Sequence, residues 1–89
     1  MTRVRDDALL QAFAAVLREL RNELGLSQEQ LALRASVDRT FVGKLESGRH
    51  QPSLAVVFKL AQAAGTTPVE LMARVQQALL SGAKPPADE

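Results

Sequence analysis

The sequence predicts an all-α fold, a compact bundle of five helices. Hydrophobic residues make up 46% of the 89 residues and aromatic residues only 3%, so the side chains that favour sheets are sparse. Apolar residues recur at spacings of three and four, the period of an amphipathic helix. Residues typical of helix ends separate these stretches. We expect one domain over residues 1–82, with helices over about 6–24, 28–35, 39–47, 54–64 and 68–80, and a disordered tail over 83–89.

The first helix is predicted from one apolar face and from signals at both ends. Asp6 and Asp7 place negative charge where a helix N-terminus favours it, and Gly25 suits the left-handed residue that ends a helix. The apolar face consists of Leu10, Phe13, Leu17, Leu20 and Leu24.

The next two helices are short and are joined by a tight turn. Ser27 and Gln30 have the spacing of a capping box, in which each side chain bonds the backbone of the other residue. Ser36 and Val37 form the predicted turn, and Asp38 is a favourable N-cap for the third helix.

The last two helices begin with equally local signals. Ser53 is the expected N-cap of the fourth helix. Thr67, Pro68 and Glu70 occupy the N-cap, first and third positions of the fifth.

Composition argues against several functional classes. The chain has no cysteine and one histidine, and its carboxylates are scattered, so we expect no metal site, no cofactor and no enzymatic activity. Its apolar runs are too short to span a bilayer, and Asp6 and Asp7 are unlike a signal peptide. We infer no small-molecule ligand.

The third helix carries the candidate functional residues. Residues 39, 40, 43 and 44 share one face by helical geometry. Arg39 and Lys44 can donate to guanine in the major groove, and Thr40 can bond a base or contact a thymine methyl group. Gly43 has two interpretations: close approach of DNA to the backbone, or a tolerated flaw in the helix. The segment 34–50 holds four basic and two acidic residues, a modest positive excess.

Groups suited to phosphates surround this face. Gln28 begins the second helix, where free backbone N–H groups and a positive helix end favour anions. Arg49 and His50 follow the third helix and could reach the backbone on the other side of the groove. The segment LSQEQLALRASVDRTFVGKLESGR therefore predicts a surface that binds double-stranded DNA.

The stretch from about residue 13 to 72 resembles the DNA-binding domains of phage Cro and cI-type repressors, the Xre family of helix-turn-helix regulators. The resemblance implies a lambda-repressor-like five-helix bundle that binds a palindromic or pseudopalindromic operator as a homodimer. It implies a cytoplasmic protein, associated with a bacterial or phage nucleoid. The run VDRTFVGKLESGR also resembles the controller proteins of restriction-modification systems.

The same resemblance implies roles for individual residues. Base readout falls on Arg39, Thr40, Gly43 and Lys44, and phosphate contacts fall on Gln28, Phe41 and the loop that contains Arg49. A structural ion pair is implied between Arg21 and Glu46, with Arg34 as a competing partner. Two residues depart from the family pattern. Ser36 replaces the usual glycine of a left-handed turn, and Gly43 replaces a longer side chain.

One short recognition helix makes few base contacts, so a second copy is expected to supply a second half-site. The predicted dimer interface uses apolar residues in excess of the core: Phe58, Met72, Val75 and Leu79. The alternative is an antitoxin or adaptor that uses the same fold to bind another protein.

Overall fold

The computed structural model describes residues 6–82, and within them the chain forms five helices and no strand. The helices are α1 (Asp7–Glu23), α2 (Gln28–Ala35), α3 (Arg39–Glu46), α4 (Leu54–Ala63) and α5 (Pro68–Leu80). The expected all-α fold is confirmed. The predicted disordered tail, 83–89, lies outside the described residues.

Local capping explains where most helices begin. Ser27 Oγ accepts from the Gln30 N–H at 3.1 Å and Gln30 Oε1 accepts from the Ser27 N–H at 2.8 Å, which completes the capping box. Ser53 and Thr67 cap α4 and α5 by a single bond each, in which the side-chain oxygen accepts from the N–H three residues later. Asp38 is the exception: it stands at the N-cap of α3, but its side chain makes no capping hydrogen bond.

The core is aliphatic apart from Phe13 and lies between all five helices. α1 packs against α3 and α5, α2 packs against α3 and α4, and α4 packs against α5. Alanines at helix contacts, such as Ala32 and Ala61, are buried and let the helices approach closely. The largest fully buried side chains are Leu17, Leu31, Leu45, Leu60, Leu71, Val16 and Val42.

Two apolar residues lie elsewhere than expected. Leu24 was expected on the inward face of α1, but it is the C-cap residue and its side chain is 44% exposed. Val75 was expected at a dimer interface, but it is only 3% exposed and belongs to the core. Because its side chain is enclosed by its own chain, Val75 is removed from the candidate interface.

An ion-pair cluster on the surface joins α5 to α1. Arg74 lies 3.2 Å from Glu19 and 3.0 Å from Glu23. The hydrogen bond from Arg74 lowers the pKa of Glu23 below its ordinary value. The two carboxylates are solvent-exposed and Arg74 is partly exposed, so the cluster contributes little to stability.

Candidate nucleic-acid interface

The turn between α2 and α3 sets the angle at which α3 leaves the bundle. Ser36 has a φ of 58° and a ψ of 42°, which is the left-handed conformation expected at a turn position where glycine is usual. Its N–H donates to Leu33 O at 3.2 Å, and the N–H of Val37 donates to Ala32 O at 3.0 Å. Val37 packs half-buried against the core. The turn is therefore stabilised by backbone hydrogen bonds and by packing of the Val37 side chain against the core.

α3 has one buried side and one exposed polar side. Val42 and Leu45 are fully buried, whereas Arg39, Thr40 and Lys44 are exposed. We call the exposed side, formed by Arg39, Thr40, Gly43 and Lys44, the recognition face. Because the opposite side is fixed in the core, the helix can present its donors without rearrangement.

A buried carboxylate fixes the end of α3 to the rest of the bundle. Glu46 is 4% exposed. Arg21 Nε donates to Glu46 Oε2 at 2.7 Å and Arg21 Nη2 donates to Oε1 at 3.0 Å, which is a bidentate pair. This bonding raises the pKa of Arg21 above its ordinary value. Of the two arginines proposed from the sequence, Arg21 pairs with Glu46, and Arg34 has no ion pair within the described residues.

Three further hydrogen bonds extend this pair into a network. Gln28 Nε2 donates to Glu46 Oε1 at 3.0 Å. Arg21 Nη1 donates to the Leu26 carbonyl at 2.9 Å, and Arg18 donates to the Glu46 carbonyl. The network therefore joins α1, the start of α2 and the end of α3. We call these residues, Arg18, Arg21, Gln28 and Glu46, the Glu46 network.

The network reduces the number of side-chain N–H donors that Gln28 has available for a phosphate. One of its two amide N–H donors points to Glu46, so one side-chain N–H remains for another acceptor. The first N–H groups of α2 also lack intrahelical acceptors, as at any helix start. Sequence reasoning missed this bond because Gln28 and Glu46 are 18 residues apart and no local pattern joins them.

The other predicted phosphate contacts lie just beyond α3. Arg49 and His50 are exposed, and the Arg49 N–H donates to Lys44 O at 3.3 Å, which ties the loop to α3. Phe41 packs half-buried against the core, and its ring meets His50 edge-on at a centroid distance of 5.9 Å. The Phe41 N–H donates to Asp38 O at 3.0 Å. The backbone N–H of Phe41 therefore already has an acceptor within the protein, and a phosphate contact by Phe41 stays a prediction.

Burial makes this edge of the molecule more positive than the sequence suggests. Of the two carboxylates in segment 34–50, Glu46 is buried and paired with Arg21, while Asp38 is exposed. The basic residues of the segment are all exposed: Arg34, Arg39, Lys44 and Arg49. The exposed charges of this segment are therefore four cations and one carboxylate, a composition suited to a phosphate backbone.

Other types of site receive no support from the described residues. Between residues 6 and 82, no group of three or more histidine or acidic side chains is placed to hold a metal ion. No helix in that range is long and apolar enough to cross a membrane. That the chain needs no cofactor and has no enzymatic activity stays a prediction.

Comparison with known proteins identifies the fold family. The helix-turn-helix family model matches residues 17–71, which run from within α1 to the first residues of α5. The chain belongs to the helix-turn-helix family. This confirms the resemblance to Xre-type domains that the sequence indicated.

Several relatives of this helix-turn-helix protein bear the name of transcriptional regulators. An uncharacterised HTH-type regulator of Methanothermobacter thermautotrophicus is 46% identical over 55 residues, which are 62% of this chain and 80% of that protein. The regulator y4dJ of Sinorhizobium fredii is 40% identical over 53 residues, which are 60% of this chain and 69% of y4dJ.

Solved structures of controller proteins are also similar. The restriction-modification controller protein C.AhdI from Aeromonas hydrophila is 47% identical, with a TM-score of 0.68 over 70% of this chain and 94% of C.AhdI. The controller protein C.Esp1396I, solved as a tetramer with its natural 35 base-pair operator, has a TM-score of 0.76 at 22% identity, over 81% of this chain and 95% of C.Esp1396I. The second likeness supports the fold alone.

Proposed function

We propose that this helix-turn-helix protein is a transcriptional regulator that binds an operator in double-stranded DNA, with α3 in the major groove. The observation that carries the proposal is the recognition face: three exposed donors on a helix whose other side is fully buried. Arg39 and Lys44 suit guanine O6 and N7, and Thr40 suits either a base or a methyl group. Relatives named as transcriptional regulators and controller proteins support the same function.

The Glu46 network gives the recognition face its orientation. A base contact discriminates only if its donors are held in place, because a displaced donor can satisfy a different acceptor. The network holds the end of α3, and the turn at Ser36 holds its start. Gln28 and the loop after α3 both lie beside the end of α3, where phosphate contacts would set the register on the duplex.

Arg49→Ala should weaken DNA binding uniformly across sequences. Arg49 is exposed and follows α3, so its loss removes a phosphate contact without removing a base reader. We expect the slope of log affinity against log salt to become shallower by about one unit, measured by fluorescence anisotropy at several salt concentrations. Arg74→Ala is the matched control, since Arg74 pairs with Glu19 and Glu23 on the α1–α5 side. Equal slopes for the two variants would remove Arg49 from the interface.

We further propose that the regulator binds as a homodimer. The outer face of α5 carries apolar side chains that the bundle leaves exposed: Val69 and Leu80 are more than 70% exposed, and Met72 and Leu79 are 39% and 38% exposed. Val69, Met72 and Leu79 recur at helical spacings and form one stripe. Phe58 on α4 is 54% exposed. Such an excess of apolar surface favours a self-complementary interface.

Sedimentation equilibrium at micromolar concentration tests the dimer. The parent chain should be dimeric, and the double variant Met72→Glu and Leu79→Glu should be monomeric because two charges would be buried at the interface. Gln77→Glu, an exposed position on the same helix, is the matched control and should stay dimeric. A monomeric parent chain would contradict the homodimer and would favour the adaptor alternative, in which the stripe binds another protein.

A further inference from the structure

Gly43 has no structural reason to be glycine. The other four glycines of the chain have φ values between 68° and 76°, a conformation that side chains disfavour. Gly43 lies inside α3 with helical backbone, where glycine is less stable than alanine. A conformational requirement therefore explains the other four glycines and does not explain Gly43.

The interior of the protein does not exclude a side chain there either. A Cβ built on Gly43 would have Gln28 Oε1, at 3.6 Å, as its nearest heavy atom outside its own helical surroundings. That distance is an ordinary van der Waals contact. Gly48 shows the contrast, because a Cβ at that position would overlap the side-chain amide of Gln11. Alanine fits at residue 43, so any need for glycine comes from outside the chain.

The bare backbone at Gly43 forms a recess in the recognition face. Thr40 lies one turn before it and Lys44 directly after it. Gln28 forms the floor, and its orientation is fixed: a carboxylate accepts hydrogen bonds, so Nε2 is the atom that faces Glu46 and Oε1 is the atom that faces Gly43. The recess is the space that the absent Cβ leaves free.

The walls of the recess indicate what it accepts. Above the Gln28 floor, the helix offers the Gly43 Cα hydrogens and the exposed neighbours Thr40 and Lys44, whose side chains carry a methyl group and an aliphatic stem. The group that projects from a base edge into the major groove and prefers apolar contact is the 5-methyl group of thymine. Methylated cytosine carries the same group at the same position.

We propose that the recess at Gly43 reads the 5-methyl group of a pyrimidine, in thymine or 5-methylcytosine. The inference rests on the proposed function, because it requires α3 to lie in the major groove. In this arrangement Arg39 and Lys44 read by hydrogen bonding, and Gly43 reads by the absence of a side chain. Gly43 is thus a specificity-determining residue of the interface.

The test uses a duplex selected from a random pool and base analogues that change only the methyl group. Each thymine of a half-site is replaced in turn by uracil, and each cytosine by 5-methylcytosine. At one position per half-site, the duplex with the methyl group should bind about fourfold more tightly, the effect of one buried methyl-sized group. The responding base, thymine or cytosine, identifies the source of the methyl group.

Gly43→Ala provides the second arm. The added Cβ fills the recess, so the fourfold preference should disappear, while the midpoint of thermal unfolding should rise by about 4–8 °C because alanine favours the helix. Gln77→Ala, an exposed α5 position, is the control and should keep the preference.

Four results would overturn the proposal. If the selected duplex binds specifically but no methyl group changes its affinity, Gly43 does not read a methyl group, and the proposed function stays intact. A Gly43→Ala variant that keeps the methyl preference would lead to the same conclusion. A preference for unmethylated cytosine, through an amino group bonded to Gln28 Oε1, would do the same. A pool without any enriched sequence would overturn both proposals.

Discussion

Replacing Glu46 with alanine is expected to reduce the free energy of unfolding by about 3 kcal/mol, because it leaves the other half of a largely buried ion pair without a partner. Glu46 is 4% exposed and accepts three side-chain hydrogen bonds, two from Arg21 and one from Gln28. Arg21 keeps partial contact with water, with a side-chain exposure of 16%, so the cost should lie at the lower end for buried pairs. Urea unfolding followed by circular dichroism measures it.

Two further variants show whether the cost comes from burial of the carboxylate and from its charge. Glu19→Ala removes an exposed carboxylate paired with Arg74 and should cost less than about 1 kcal/mol, as surface pairs do. Glu46→Gln keeps the shape and one acceptor oxygen, so it should be less destabilising than Glu46→Ala. If Glu46→Ala is no less stable than Glu19→Ala, the network does not anchor α3.

Loss of the Glu46 carboxylate should also affect DNA binding. Without this carboxylate, the end of α3 loses its hydrogen bonds to Arg21, and the side chain of Gln28 loses its acceptor. At a temperature where Glu46→Gln is fully folded, we expect that variant to bind the selected operator more weakly and to discriminate less well between operator and random duplex. An unchanged ratio of the two affinities would show that α3 is held in place without the network.

Arg39→Ala is expected to remove about 1–3 kcal/mol of discrimination at one base pair. Arg39 is the first residue of α3, is exposed, and has no hydrogen bond or ion pair within the described residues. Its loss should therefore leave the stability of the fold unchanged. Affinities for the selected duplex and for each single base-pair variant of it measure the loss position by position.

Arg34→Ala is the matched control for Arg39→Ala. Arg34 is an exposed arginine in the last turn of α2, outside the recognition face. Its removal should weaken binding slightly and equally for all duplexes. If Arg39→Ala has the same uniform effect, Arg39 is only a charge near the DNA and the assignment of the recognition face is wrong.

Most of the fold could be predicted from the sequence because its helix ends are encoded locally. The capping residues Ser27, Ser53 and Thr67 act within three residues of themselves, so their spacing alone indicates where α2, α4 and α5 begin. For Asp38, the local sequence predicts the N-cap position but not whether the side chain makes a capping hydrogen bond. Its residue type and position fit an N-cap, but the orientation of its side chain depends on more than the local sequence.

The misplaced and missed features depend on contacts between distant residues. α5 has apolar residues on more than one side, and periodicity does not show which side packs against α1, so Val75 was wrongly assigned to a dimer interface. The choice of Arg21 over Arg34, and the bond from Gln28 to Glu46, likewise require the packed arrangement of three helices. For Gly43, sequence left two interpretations equal, and the structure adds that the protein's own interior has room for a side chain there.

Selection of binding sites from a random pool of duplexes tests the central claim, that α3 reads DNA sequence, most directly. The parent chain should enrich a two-fold symmetric site whose half-sites are about 34 Å apart, the spacing of one helical turn. The Arg39→Ala variant should enrich the same site with one position relaxed in each half. Absence of an enriched sequence with the parent chain, or an identical site with Arg39→Ala, would contradict the account.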